Sequence, residues 1–143
     1  MWQTYPRRLS IFGGIELPIN VADDGTQGPV ADDLSETTLA FLGLPSGALH
    51  QAGAVERLDV NYQANRDFFL PDPLPISNAV ELWRYVTPID IAVVRDRDAA
   101  GTPHVVVECN CPWEPEHGLQ LVFREGTTLT RLSQYDGHLR DSE

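Results

Sequence analysis

The chain has no lysine. Its ten basic residues are all arginine and stand against 21 acids, giving a formal net charge of -11 over 143 residues. Phosphate backbones are held by clustered positive charge, so this composition argues against nucleic-acid binding. No polybasic or basic amphipathic stretch is present, which argues against a membrane surface as well. Cysteine is scarce: Cys109 and Cys111 flank a single residue. They cannot staple distant segments, so a disulfide framework is excluded. No apolar run approaches the ~18 residues that a membrane span needs. Met1 to Phe12 carries Arg7 and Arg8 and lacks the apolar stretch of a secretory leader. The sequence therefore predicts a cytoplasmic protein.

What remains is an ordinary globular composition, 42% hydrophobic and 22% charged. The length fits one domain spanning residues 1–143. An acidic surface of this kind suits solubility or a basic protein partner.

Hydrophobic periodicity divides the chain into three regions. The first, residues 9–21, reads as a hairpin turned at Gly13-Gly14. A two-residue primed turn needs positive φ at both positions, which glycine supplies. Ile15, Leu17, Ile19 and Val21 alternate with polar residues, and Pro18 predicts an edge strand, because proline cannot donate to a ladder. Asp23 to Val30 is rich in Asp and Gly and reads as a loop.

The second region, residues 33–66, is helical. Asp33 with Glu36 has capping-box spacing, Leu34, Thr38, Phe41 and Leu42 mark an inner face, and Gly43 and Pro45 stop the helix. Ser46 opens a second helix that runs to about Asn65, with Leu49, Ala52, Val55, Leu58 and Tyr62 spaced by three or four. Phe68 to Pro75 holds three prolines and reads as a crossing loop.

The third region, residues 81–135, is strand-like. Leu82, Tyr85 and Val86 lead into Ile89, Ile91 and Val93. Val105, Val107 and Cys109 follow, then Leu119, Leu121 and Phe123, then Thr128 to Gln134. Together these predict an α+β fold. An antiparallel meander of about four C-terminal strands joins an N-terminal hairpin, with one or two helices packed on one face.

Chemistry-bearing residues concentrate in Cys109-Asn-Cys-Pro-Trp-Glu-Pro-Glu-His-Gly-Leu119, with Asp136-Gly-His138 one hairpin later. The meander brings Gly118 opposite Tyr135 and His117 close to Asp136, so these residues should gather at one end of the sheet. Leu82-Trp-Arg-Tyr-Val-Thr-Pro88, Cys111-Pro-Trp-Glu-Pro-Glu-His-Gly-Leu-Gln120 and Tyr135-Asp-Gly-His138 resemble a family of small bacterial proteins of unknown function. That family is marked by Cys-x-Trp-Glu-x-Glu-His-Gly-Leu followed by Asp-Gly-His, and Asn61-Tyr62 and Arg66 extend the likeness. The resemblance implies an α+β fold and brings no activity with it.

Three readings of the cluster follow. Cys109, Cys111, His117 and His138 offer the soft and borderline ligands that zinc takes, although the spacing lacks the Cys-x-x-Cys pair of a zinc ribbon. Glu116, His117, Asp136 and His138 could supply the base, orienter and acid of an acid–base enzyme, with Cys111 as a nucleophile. No catalytic motif is complete, however. The third reading is a binding module without chemistry and without a cofactor. Trp113, ringed by Glu114 and Glu116 in a Pro-flanked loop, would anchor an unidentified protein partner, a basic one being what the acidic charge suits, as an immunity-type protein does. This third reading requires the fewest additional parts and is the favoured expectation, with a metal-assisted or acid–base enzyme as the alternative.

Overall fold

The computed structural model describes residues 2–22, 31–97 and 100–140. Six strands form one sheet in chain order, β1 (Trp2–Leu9), β2 (Ile15–Ala22), β3 (Thr87–Arg95), β4 (Pro103–Asn110), β5 (Leu119–Arg124) and β6 (Thr128–Gln134). Every neighbouring pair is antiparallel except β2 and β3, which run parallel over Ile19–Val21 against Ile91–Val93. Two helices, α1 (Asp32–Leu42) and α2 (Ala52–Phe69), fill the crossover that a parallel pair requires.

The core explains the layering. Ile19, Val21, Ile91, Val93, Val105, Val107, Cys109, Leu119, Leu121 and Phe123 project from one face of the sheet and are buried with Leu34 and Phe41 of α1 and Leu58 and Tyr62 of α2. The rings of Phe41 and Phe123 meet edge to face at 5.4 Å. Period-two side chains from the strands thus meet period-3.6 stripes from the helices, and both helices share that face. The C-terminal meander lies where periodicity placed it, and its register puts Val105 opposite Phe123 and Leu121 opposite Leu132.

Several details differ. The hairpin begins at Trp2 rather than Leu9, and its connection is five residues long, a 3-10 turn over Ser10–Phe12 followed by Gly13 and Gly14 at φ 74 and 87. β2 is an interior strand, not an edge. Pro18 is accommodated because the ladder to β3 starts only at Ile19, and because Pro6, equally without an N–H, stands opposite on β1. On α1 the buried threonine is Thr37, while Thr38 turns its hydroxyl to the Leu34 carbonyl at 2.8 Å. Asp33 lies in the first turn of α1 rather than capping it. It receives both Arg95 guanidinium nitrogens, and that bond holds its carboxyl below the usual range.

Residues 79–85 are a 3-10 helix, not a strand. Its start is fixed by a capping box, Asn78 with Glu81, whose carboxylate accepts the Ser77 and Asn78 amides at 2.6 and 3.0 Å. Ile89 is exposed because the β3 register shifts between Pro88 and Asp90, leaving it as a bulge out of phase with Ile91 and Val93. The loop expected over Asp23 to Val30 lies outside the described residues, as does part of the turn after Asp96. Among the described residues no helix is long and apolar enough to cross a membrane.

Candidate functional site

The segment between β4 and β5 folds inward. Glu114 N–H bonds the Cys111 carbonyl and Gly118 N–H bonds the Glu114 carbonyl, so the chain turns twice in eight residues. Gly118 sits at φ 79, and a Cβ there would lie 2.8 Å from the Cys109 carbonyl oxygen. Only glycine allows the return into β5 at this closeness. These turns drive Trp113 into the core, where it is fully buried. Its indole stands edge-on to the Tyr62 ring at 5.1 Å and donates to Asn61 Oδ1 at 2.8 Å. Asn61 Nδ2 donates in turn to the Glu114 carboxylate at 3.4 Å. Burial pushes that carboxyl up, offset in part by Asn61 and by the charge of His117. Arg66 lies over the Tyr62 ring, 5.9 Å from its centre.

Trp113 is therefore not an exposed anchor. It plugs the end of the sheet against α2, and a buried indole with a satisfied N–H has nothing left to offer a partner. Glu114 is interior too, whereas Glu116 and His117 are exposed. The residues that carry the resemblance, Asn61, Tyr62, Arg66, Trp113, Glu114 and Gly118, form one packed unit.

Asp136 to His138 belongs to a second unit. After β6 the chain crosses to the face of the sheet away from the helices and runs as a strap over residues 135–140. Arg131 grips Asp136 with both nitrogens, at 2.8 and 2.9 Å, and also donates to the His138 carbonyl at 2.7 Å. Gln120, fully buried, donates to the same carbonyl at 2.7 Å and accepts from the Gly137 amide at 3.3 Å. Leu139 is buried, and Arg140 pairs with the buried Asp96 at 3.1 Å. Burial alone raises the Asp136 carboxyl. The Arg131 bond, the His138 amide and the neighbouring positive charges outweigh it and hold the group below its usual range.

The expected gathering at one end of the sheet is real in projection: the Tyr135 amide donates to the Gly118 carbonyl at 2.9 Å. The sheet itself nonetheless divides the cluster. Trp113 and Glu114 lie on the helix side, with Asp136 and His138 on the other. Of the acid–base grouping, Asp136 is held by Arg131 on the far face, while Glu116 and His117 are exposed on the loop that Gly118 closes. The zinc grouping fares similarly. Cys109 and Cys111 are buried, with burial foremost in raising both thiols, Cys111 to about 12. His138 lies on the opposite face, and among the described residues no three His, Cys, Asp or Glu side chains converge to hold a metal. A thiol kept protonated is a poor nucleophile.

The same far face holds a feature that motif reading missed. Beside the strap, a groove of about 1030 Å³ opens over β3 and β4, lined by Asn20, Asp90, Ala92, Val94, Arg95, Arg97, Val106 and the strap residues from Tyr135 to Arg140. Asp90 and Glu108 stand directly opposite one another across the β3–β4 ladder. Asp90 accepts from Asn20 Nδ2 at 3.0 Å. Among the described residues no cation pairs with either carboxylate. Burial, then the charge of Asp90, pushes the Glu108 carboxyl up. Tyr135 is raised as well, by burial and then by Glu108, Asp90 and Asp136. The sequence carried a signal for this pair. Asp90 and Glu108 occupy the non-core phase of their strands, and pairing Val93 with Val105 brings them face to face.

A family model described as a domain of unknown function, DUF6985, matches residues 1–139. Nothing matches among curated proteins or among solved structures. With its match running from the first strand to the strap, the chain belongs to the DUF6985 family.

Proposed function

We propose that the protein is a cytoplasmic, non-catalytic binding module that captures a basic protein partner on the sheet face opposite the helices. One observation carries this reading: two carboxylates, Asp90 and Glu108, stand opposite one another on that face, and among the described residues no cation pairs with either. Like charges directly opposite on paired strands destabilise a sheet, so an arrangement of this kind calls for an outside positive charge. The net charge of -11 would steer such a partner towards the surface. An immunity-type role, in which the acidic face occupies a basic toxin, is one form of this reading. Glu116, exposed on the neighbouring loop, would contribute to the rim, whereas Trp113 and Glu114 serve the core.

Binding is favoured over acid–base or metal-assisted catalysis because Asp136 is held by both Arg131 nitrogens and both thiols are buried. The test is site-specific photo-crosslinking in the native cell, with the crosslinking residue at Ala92 in the groove or at Val60 on the exposed side of α2 as a control. A discrete protein adduct from Ala92 and none from Val60 supports the reading. Its absence from Ala92 overturns it.

A further inference from the structure

We infer that the C-terminal strap, residues 135–140, is a latch: it lifts from the intact sheet and, when closed, hides half of the face on which the groove opens. Its consequence for capture rests on the reading that this face docks a protein, whereas the latch itself does not.

The register defines what the strap hides. On the face away from the helices, two rungs run unbroken across four strands. Asp90, Glu108, Gln120 and Ser133 stand in one, and Ala92, Val106, Val122 and Arg131 in the next. In the β3–β4 half of these rungs, all four side chains are partly exposed. In the β5–β6 half, Gln120, Val122 and Arg131 are buried, although both helices pack on the other face. The change falls where the strap crosses, since Arg131 holds Asp136 and Gln120 holds the His138 carbonyl. Strap residues from Tyr135 to Arg140 also wall the groove. Lifting the strap therefore joins the two halves into one continuous surface.

The closure is made of groups that tolerate opening. Within residues 135–140 only Leu139 is buried. The strap bends at Gly137, at φ 78, where a Cβ would meet nothing within 4 Å, so the bend is not wedged against the sheet. Beneath it, Gln120 and Arg131 end in polar groups that water satisfies once the strap is gone, and Val122 is the apolar exception. A segment with so few buried apolar contacts opens at a fraction of the free energy of global unfolding. The sheet does not depend on it, because Leu119, Leu121 and Phe123 anchor β5 in the core on the opposite face. The Tyr135 amide, bonded to the Gly118 carbonyl at 2.9 Å, marks the pivot, and Leu139 with the Arg140–Asp96 pair fastens the other end.

The test places a thiol in the hidden half by Val122→Cys and treats the native protein with iodoacetamide, reading each cysteine by peptide mass spectrometry. Cys109, buried on the other face of the same sheet, reports global opening. The introduced thiol is expected to label while Cys109 does not, and adding Leu139→Ala should speed that labelling at least about tenfold. Hydrogen exchange of the unaltered chain is a second readout. The Gly137 amide, which donates to Gln120 Oε1 at 3.3 Å, should show protection at least about tenfold weaker than the Leu121 amide within β5. An introduced thiol that stays as protected as Cys109 even with Leu139→Ala, or that labels only together with Cys109, overturns the latch. So does equal protection of Gly137 and Leu121, which decides alone if the Val122→Cys protein does not fold. A labelling thiol without an Ala92 crosslink leaves the latch standing and fells the docking reading. An Ala92 crosslink beside a protected thiol does the reverse.

Discussion

Asn61 Oδ1 accepts the Trp113 indole N–H at 2.8 Å, across 52 residues of sequence. The same carboxamide donates to Glu114, so one side chain satisfies two buried polar groups of the loop. Asn61→Ala leaves both without that partner and is expected to cost about 1–3 kcal/mol. Chemical denaturation followed by tryptophan fluorescence measures it. A loss within the noise of a surface substitution would mean that the indole is held by packing alone.

Glycine replacements should separate sharply. Gly126 and Gly137 have similar φ angles, 84 and 78, yet a Cβ on Gly126 would lie 2.4 Å from the Thr37 carbonyl oxygen, while nothing stands within 4 Å of one on Gly137. Gly137→Ala should cost only the left-handed backbone strain, about 1–2 kcal/mol. Gly126→Ala must also push α1 away from the β5–β6 turn and should cost clearly more, read as the difference in Tm. Equal costs would show that α1 shifts freely.

Glu108→Gln is expected to stabilise the free protein at neutral pH, by about 0.5–1 kcal/mol, since it removes a like charge opposite Asp90. In a domain of this size that is a rise of roughly 2–4 °C in Tm. The sign follows from the raised carboxyl. The folded state holds this proton more tightly than the unfolded chain, whose ordinary value is 4.5. Its favourable contribution is full below that value and is lost as pH rises through the higher folded one. Wild type and variant should therefore converge in acid and diverge above. A variant that melts lower at neutral pH would contradict the repulsion.

Asp136 behaves in the opposite way. Its folded carboxyl sits below the ordinary 3.8, so its contribution is present above that value and fades as pH falls through the lowered one. Asp136→Asn should cost about 1 kcal/mol near neutrality, a figure kept small because the carboxylate is partly exposed and screened. The gap should narrow as pH falls below 3.8 and through the lowered folded value, where the wild-type group protonates as well. A gap independent of pH would assign the cost to shape rather than charge.

Both thiols should resist iodoacetamide at about pH 8 in the native protein and react in denaturant, because the thiolate is the reactive form. Burial keeps Cys109 and Cys111 protonated, the latter up to about 12. Intact mass spectrometry reads the result directly, and rapid labelling of either thiol would show that the loop opens.

Much of the meander was legible because each of its strands alternates one apolar face with one mixed face, and short Gly-containing turns fix the register. The 3-10 stretch before β3 was mistaken for a strand although Asn78 and Glu81 announce a helical start, since Leu82, Tyr85 and Val86 suit either period. The interior position of β2 could not be read from Pro18, because what rescues it is another proline on a different strand. The site misled for a related reason. Trp113, between prolines and acids, looks exposed in one dimension, and only Asn61 and Tyr62 on α2 reveal the pocket that receives it. Asp90 and Glu108 form no motif at all. They meet only once two strands are paired.

The parallel seam between β2 and β3 has a consequence for how the chain folds. The hairpin and the meander each close through local antiparallel contacts, but their junction is three rungs wide and joins Ile19 to Ile91. Closing so long a loop costs entropy before the contacts repay it, which makes the seam a late event. The hairpin and the meander are then natural cooperative units, and the hairpin, gripped by the shorter ladder, is the one that should open first in hydrogen exchange.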